Sequence, residues 1–176
     1  QAIEQNEAVM VYGDYDVDGT TSVSMLTHFL RIEGLMVTPY VPDRYVEGYG
    51  LSKQGIDAAK EQDICCIVAL DCGVKAIEQA AYAASLGIDL IICDHHTPGE
   101  TLPKALAVLD PKRSDCAYPY KELCGCGVGF KLMQGIVQKL GNKLETLVPY
   151  LDFVAVAIAA DIVPITGENR SLAFLG

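Results

Sequence analysis

Aspartates and histidines gather in four short stretches of this chain: Gly13-Asp14-Tyr15-Asp16-Val17-Asp18-Gly19, Asp71-Cys72-Gly73, Asp94-His95-His96 and Asp110-Pro111. Each follows an apolar run. A lone loop aspartate ordinarily forms a turn or caps a helix. Six carboxylates and two histidines drawn to one rim would repel one another, and divalent cations are their natural neutraliser. In extended backbone Asp16 and Asp18 project to the same side, so each can serve a separate ion of a pair about 4 Å apart. Asp71, arriving from a neighbouring strand, could bridge both. Adjacent side chains diverge, so one of His95 and His96 can ligate while the other faces a substrate. Carboxylate and imidazole donors without thiolate suit Mn²⁺ or Mg²⁺, with imidazole tilting the balance towards Mn²⁺.

Other readings of the same residues fail on spacing. Asp14-x-Asp16-x-Asp18-Gly19 matches the opening of a calcium loop, but the twelfth position is Met25 where a bidentate Glu is required, and a strand precedes it where a helix should. Gly13 to Gly19 lacks the Lys-Ser/Thr of a P-loop. Gly125-x-Gly127-x-Gly129 has neither the spacing nor the preceding strand of a dinucleotide fingerprint. Seven cysteines include no CxxC pair, and Cys124-Gly125-Cys126 with a remote Cys116 does not fit a zinc knuckle. They read as small core residues in a reducing compartment.

Short apolar runs predict strands at Ala8–Tyr12, Met36–Val41, Ile64–Leu70, Asp89–Cys93 and Ala105–Leu109. Several are continuously apolar, as strands buried on both faces of a parallel sheet are. Helices are expected between them: Thr20 to Glu33, with Val23, Leu26, Thr27 and Leu30 on one face; Ser52, as N-cap, to Glu61; and Lys75 to Leu86, with Ile77, Ala80, Ala81 and Ala84 on one face. Asp110 to Glu122 reads as a surface loop. Gly127 to Leu140, Leu144 to Leu151 and Asp152 to Ile162 read as helical, with a further segment starting at the end. The pattern is α/β: a doubly wound, mostly parallel five-stranded sheet flanked by helices, with a C-terminal helical segment.

With 51% apolar residues in 176, a sizeable core can form. Mean hydropathy is +0.25. The most apolar stretch, Val154 to Ala160, is bracketed by Asp152 and Asp161 and falls far short of a membrane span. No leader pattern opens the chain, so a soluble, cytoplasmic protein is expected, with no membrane partner. Thirteen basic against 23 acidic residues give a net charge of −10, which excludes non-specific polyanion binding by field alone.

Gly13-Asp-Tyr-Asp-Val-Asp-Gly-Thr-Thr-Ser22, Asp71-Cys-Gly73 and Asp94-His-His96 resemble the successive motifs of the DHH phosphoesterase superfamily. Arg44-Tyr-Val-Glu-Gly-Tyr-Gly-Leu51, Cys124-Gly-Cys-Gly-Val-Gly-Phe-Lys131 and Ala159-Ala-Asp-Ile-Val-Pro164 are similar to blocks of its RecJ family of single-strand-specific 5′→3′ exonucleases. The resemblance implies a DHH catalytic domain over residues 1–176, about 1–110 as its α/β core and about 124–176 as a helical extension, in a longer protein of DNA repair and recombination. The family's DHHA1 and oligonucleotide-binding domains have no counterpart here.

Position by position, the resemblance makes Asp16 and Asp18 ligands of different ions, Asp71 their bridge, and His95 and Asp161 the rest of the second ion's shell. His96 would face the scissile phosphate, and a metal-activated hydroxide would attack it. Tyr12 stands where many members carry a histidine, which shifts support of the first ion towards Asp14 and weighs against a pyrophosphatase. Arg44 reads either as a solvated loop arginine or as a phosphate contact. Single-stranded DNA is the implied substrate, held weakly by this stretch alone because it has no Trp and only four Phe to stack bases. Two alternatives remain: a DHH phosphodiesterase of short oligonucleotides or cyclic dinucleotides, and a non-catalytic scaffold on the same fold.

Overall fold

The computed structural model describes residues 2–5 and 7–176. The strands are β1 Val9–Gly13, β2 Val37–Tyr40, β3 Cys66–Leu70, β4 Asp89–Cys93 and β5 Ala107–Leu109. The α-helices are α1 Ala2–Gln5, α2 Val17–Ile32, α3 Lys53–Glu61, α4 Ile77–Ser85, α5 Gly125–Lys139, α6 Leu151–Ala160 and α7 Gly167–Leu175. The sheet order is β2-β1-β3-β4-β5 and every pairing is parallel. The chain thus works outward from β1 to one edge, then crosses to β3 and proceeds to the other, which is the doubly wound arrangement expected.

Strand alternation divides the interior into two cores. Val9, Val11, Val68 and Leu70 face α2, α5 and α6, where they pack with Leu26, Val128 and Val154. Met10, Tyr12, Ile67 and Ala69 face α3 and α4, against Ile56 and Ala80. Because the central strands β1 and β3 are apolar on both sides, the sheet is stable only with helices on both, and the helical C-terminal segment supplies part of one layer.

Several boundaries differ from expectation for local reasons. Helix α2 begins at Val17, not Thr20, because the Asp16 side chain caps it by accepting from Gly19 N at 2.9 Å. Asp18 therefore sits in the first helical turn, and the extended alternation expected to align it with Asp16 does not exist. Asp16 is exposed; Asp18 is buried. Helix α5 starts two residues early, at Gly125, under Cys124 as its cap. Residues Leu144–Tyr150 form a 3₁₀ helix containing Pro149, which has no amide to donate. Helix α4 buries Ala80 and Ala83; Ile77, Ala81 and Ala84 of the expected stripe are exposed, because the face turned to α3 and β4 is the one that carries Ala80 and Ala83. The fifth strand shortens to three residues.

Tyr12, fully buried, points into the α3–α4 core and not towards the acidic rim. Its hydroxyl donates to Gly50 O at 2.8 Å and accepts from Ser52 N at 3.2 Å, and its ring stacks on Tyr40 at 5.1 Å. It ties the loop after β2 to the sheet. Tyr12→Phe keeps the ring but strands a buried carbonyl and amide, so unfolding in urea is expected to show a loss of about 1–3 kcal/mol with an unchanged denaturant slope.

Candidate metal centre

In a parallel sheet wound both ways from β1, the crevice outside the carboxyl ends of β1 and β3 is the place where ligands bind. Strand register brings the acidic stretches there side by side. Gly13 pairs with Leu70, and Leu70 with Cys93, so the residues that follow, from Asp14, Asp71 and Asp94 onward, leave neighbouring strands together.

Donor atoms form three overlapping sets at this point: Asp14, Asp16 and Asp71; Asp71, His95 and His96; and Asp18, His95 and Asp161. His95 Nε2 lies 3.2 Å from Asp71 Oδ1, 3.7 Å from Asp161 Oδ2 and 3.8 Å from Asp18 Oδ2. On the other side of Asp71, Asp14 and Asp16 bring carboxylate oxygens to within 4.8 Å of its own and of each other. Asp161 arrives from the C-terminal end of α6, more than sixty residues beyond the other donors in sequence. Asp14 Oδ1, Asp71 Oδ1, Asp161 Oδ2 and His95 Nε2 are buried atoms with no hydrogen-bond partner. Each such group costs about 1–3 kcal/mol to leave unpaired, more if charged, and native proteins rarely tolerate several together. Bound cations of the oxygen-preferring, imidazole-accepting kind would satisfy all four, so the donor set fits Mn²⁺ or Mg²⁺.

Backbone geometry locks these donors in place. Asp71 has φ 60°, a left-handed conformation that Asp tolerates better than most residues, and its amide donates to Cys93 O at 2.9 Å. The N-terminus of α5 lies directly against it: a Cβ at Gly125 would fall 2.5 Å from Asp71 Cβ. Gly125 N and Cys126 N donate to the two Asp18 oxygens at 2.6 and 2.7 Å, so the positive end of α5 clamps a buried carboxylate. Gly19 is required in the same way, since a side chain there would run into the Asp14 carbonyl.

The electrostatics are those of a site short of positive charge. Burial, then the carboxylates of Asp18, Asp16, Asp94 and Asp161, push Asp71 strongly up. Burial raises Asp18 against the pull of the Cys126 amide, and burial likewise raises Asp14 and Asp161. Burial lowers His95 to about 4, so at neutral pH its imidazole is uncharged and can ligate.

His96 occupies a different setting. Asp94 Oδ1 faces His96 Nδ1 at 2.7 Å and accepts from the amides of His95 and His96 at 2.7 and 3.1 Å, while Val74 N donates to Oδ2 at 2.8 Å. Burial pushes Asp94 up, but these bonds outweigh it and hold the carboxyl below its usual range. The hydrogen bond to Asp94 raises His96 in turn. Its Nε2 is turned to the crevice, 3.3 Å from the Tyr49 hydroxyl. One ring nitrogen of His96 also lies within 4.8 Å of donor atoms of Asp71 and His95; ligation through Nδ1 would cost the bond to Asp94, whereas Nε2 is free of it. Arg44 does not join the carboxylates: it is exposed, its guanidinium 5.1 Å above the Tyr15 ring on the crevice rim. Sequence reasoning missed the orienting role of Asp94, the amides of Gly125 and Cys126, and Tyr49. The first had a signal in the Asp-His-His run and the second in the glycines after Leu123; Tyr49 had none beyond its motif.

The family model for the DHH family, N-terminal domain, matches residues 8–158. This chain belongs to the DHH family. It is 44% identical over its whole length to the single-stranded-DNA-specific exonuclease RecJ of Bacillus subtilis and 37% identical over 99% of its length to RecJ of Escherichia coli. It spans only 22% and 32% of those relatives. Among solved structures, exonuclease RecJ bound to manganese superposes with a TM-score of 0.89 at 34% identity, covering 99% of this chain and 44% of that one. RecJ of Thermus thermophilus in complex with Mn²⁺ follows at 0.84 and 30% identity, covering 99% of this chain and 24% of that one. No described helix of this DHH chain is long and apolar enough to cross a membrane.

Protons and cations compete for these carboxylates. Asp18 and Asp71 are raised above the ordinary 3.8, so in the metal-free protein their contribution to stability is complete below about pH 4 and lost as pH rises. His95, lowered from 6.5 to about 4, works the other way and favours folding less as pH falls through that range. Mn²⁺ binds the deprotonated carboxylates. Calorimetric melting is expected to show a Mn²⁺ stabilisation of about 5–10 °C at pH 8, with free ion about 100 times its dissociation constant, and less than half of that at pH 5.

Gly125→Ala forces a methyl group onto Asp71. Isothermal titration is expected to show at least tenfold weaker Mn²⁺ binding for this variant, with circular dichroism of the folded chain unchanged.

Proposed function

We propose that this chain is the catalytic DHH domain of a single-strand-specific 5′→3′ DNA exonuclease, hydrolysing phosphodiester bonds with two Mn²⁺ or Mg²⁺ ions. The observation that carries this reading is the run of donor sets joined through Asp71 and His95, several of whose buried atoms lack partners. Asp14, Asp16 and Asp71 would hold one ion, and Asp71, Asp18, His95 and Asp161 the other. When bound, the ions supply Lewis acidity and a nucleophile at neutral pH.

The chain's own groups do the rest. Asp71 would lend its carboxylate to both ion sites and offset part of the charge of each. The α5 amides hold Asp18 in one orientation, so no reorganisation is needed as charge develops. Asp94 keeps a proton on His96 Nδ1 and aims Nε2 at the scissile phosphate, where the raised imidazole holds a non-bridging oxygen or gives a proton to the leaving oxygen. Arg44 reaches the adjoining phosphate from the loop after β2. The identity to RecJ proteins along the whole chain, with every acidic position filled, favours this reading over a cyclic-dinucleotide enzyme or a scaffold.

The remaining domains of a longer protein would supply most of the affinity for DNA. With a net charge of −10, this chain alone holds a single strand weakly. The deciding experiment compares mononucleotide release from 5′- and 3′-labelled single strands by the longer protein with Mn²⁺. Release from the 5′ end is expected; release from the 3′ end alone would remove the assignment.

The two histidines separate the roles further. His95→Ala is expected to lose one ion and all turnover. His96→Ala should keep wild-type Mn²⁺ stoichiometry by calorimetry yet lose at least 100-fold in rate. Equal loss of metal in the two variants would mean that both are ligands.

A further inference from the structure

Residues 41–52, between β2 and α3, form neither helix nor strand and carry Arg44 and Tyr49 to the crevice rim. Gly48 and Gly50, on either side of Tyr49, have positive φ of 83° and 76°. Such a segment has many backbone conformations to lose, so something must hold it. Glu47 does. Its Oε2 accepts from the Tyr40 hydroxyl at 2.9 Å and from the Ser52 hydroxyl at 2.5 Å, and its Oε1 accepts from Asp43 N at 2.8 Å. One carboxylate thereby joins the end of β2, the start of the loop and the cap of α3.

The ordering is confined to the backbone. Asp43 Oδ1 accepts from the amides of Tyr45 and Val46 at 2.8 and 3.2 Å, and Glu47 N donates to Asp43 O at 2.8 Å, which closes the turn around Arg44. The side chains of that turn are left outside: Arg44 is exposed, Tyr45 is 96% exposed and Val46 73%. The core gains nothing from where they point, so the fixed backbone serves something beyond the fold. The Glu47 oxygens are taken up by neutral donors, which leaves the Arg44 charge free above the Tyr15 ring.

We propose that Glu47 is a positioning residue for substrate capture: it holds the loop backbone so that the Arg44 guanidinium meets the phosphate adjoining the cleaved bond without the loop first having to be ordered. This rests on the phosphodiesterase reading above and on the part Arg44 plays in it. Ordering a loop at the moment of binding weakens affinity, and preorganisation removes that cost. A chain with a net charge of −10 has little long-range attraction to offset it. A carboxylate suits the task because it accepts on both oxygens, where a carboxamide accepts on one. Glu47 belongs to none of the donor sets around Asp71, so its loss leaves the ions in place.

The test uses the longer protein with Mn²⁺ and a short single-stranded oligonucleotide. Glu47→Ala is expected to raise KM about tenfold, with kcat within about twofold of the wild type and Mn²⁺ stoichiometry unchanged by calorimetry. Arg44→Ala should raise KM to a similar degree. Because Glu47 acts through Arg44, the double variant should fall within about twofold of either single one, whereas independent roles would give about a hundredfold. Glu47→Gln, which keeps one accepting oxygen, is expected at about threefold and replaces the alanine variant in the cycle if that one melts early. An unchanged KM in both Glu47 variants, an additive double variant, or a fall in kcat or Mn²⁺ content that matches the rise in KM overturns the positioning role and leaves the phosphodiesterase reading standing. Absence of turnover by the wild type while Mn²⁺ is held overturns that reading, and the positioning role with it.

Discussion

Asp71 is 2% exposed, with the carboxylates of Asp14, Asp16, Asp18 and Asp161 around it and a neutral imidazole against it. Like charges at such spacing in a low-dielectric crevice cannot all ionise without compensation. The surrounding structure is arranged to keep them there. The left-handed turn at Asp71 is held by its own amide donating to the strand carbonyl of Cys93, the α5 amides hold Asp18, and glycines at 19 and 125 let backbone approach where any side chain would push the carboxylates apart. These devices lower the local repulsion but do not remove it. What is left is the driving force for cation binding.

The clamp on Asp18 also joins the two parts of the chain. Helix α5 starts beyond the long loop after β5, yet its first turn completes a site begun by β1. Helix α6 then carries Asp161 to the same point. One continuous core runs from Val9 and Leu70 of the sheet through Val128 of α5 to Val154 of α6 and Leu172 of α7. The helical segment is therefore packed into the α/β layer structure, and its loss would remove the Asp161 donor and both amides of the Asp18 clamp.

Adjacent histidines acquire different chemistry through one carboxylate. Asp94 takes His96 Nδ1, raises that imidazole and aims Nε2 outward, and it leaves His95 to burial, which keeps it neutral. A side-chain hydrogen bond to one ring and none to the other is enough to separate an acid from a ligand.

The fold class, the five strands, the Ser52 cap and the carboxylate and imidazole inventory were all legible in the sequence. Periodicity, caps and residue type are local properties that need no knowledge of neighbours. The spacing of Asp16 and Asp18 was legible too, but its meaning was not: capping by Asp16 turned an expected extended segment into the first turn of α2 and sent the two carboxylates to different surroundings. Sheet order, the approach of α5 to Asp71 and the arrival of Asp161 were decided by tertiary structure. So were the opposite environments of His95 and His96. Each depends on which distant backbone comes within a few ångströms, and both burial and electrostatic coupling take their size from that distance, which no local pattern encodes.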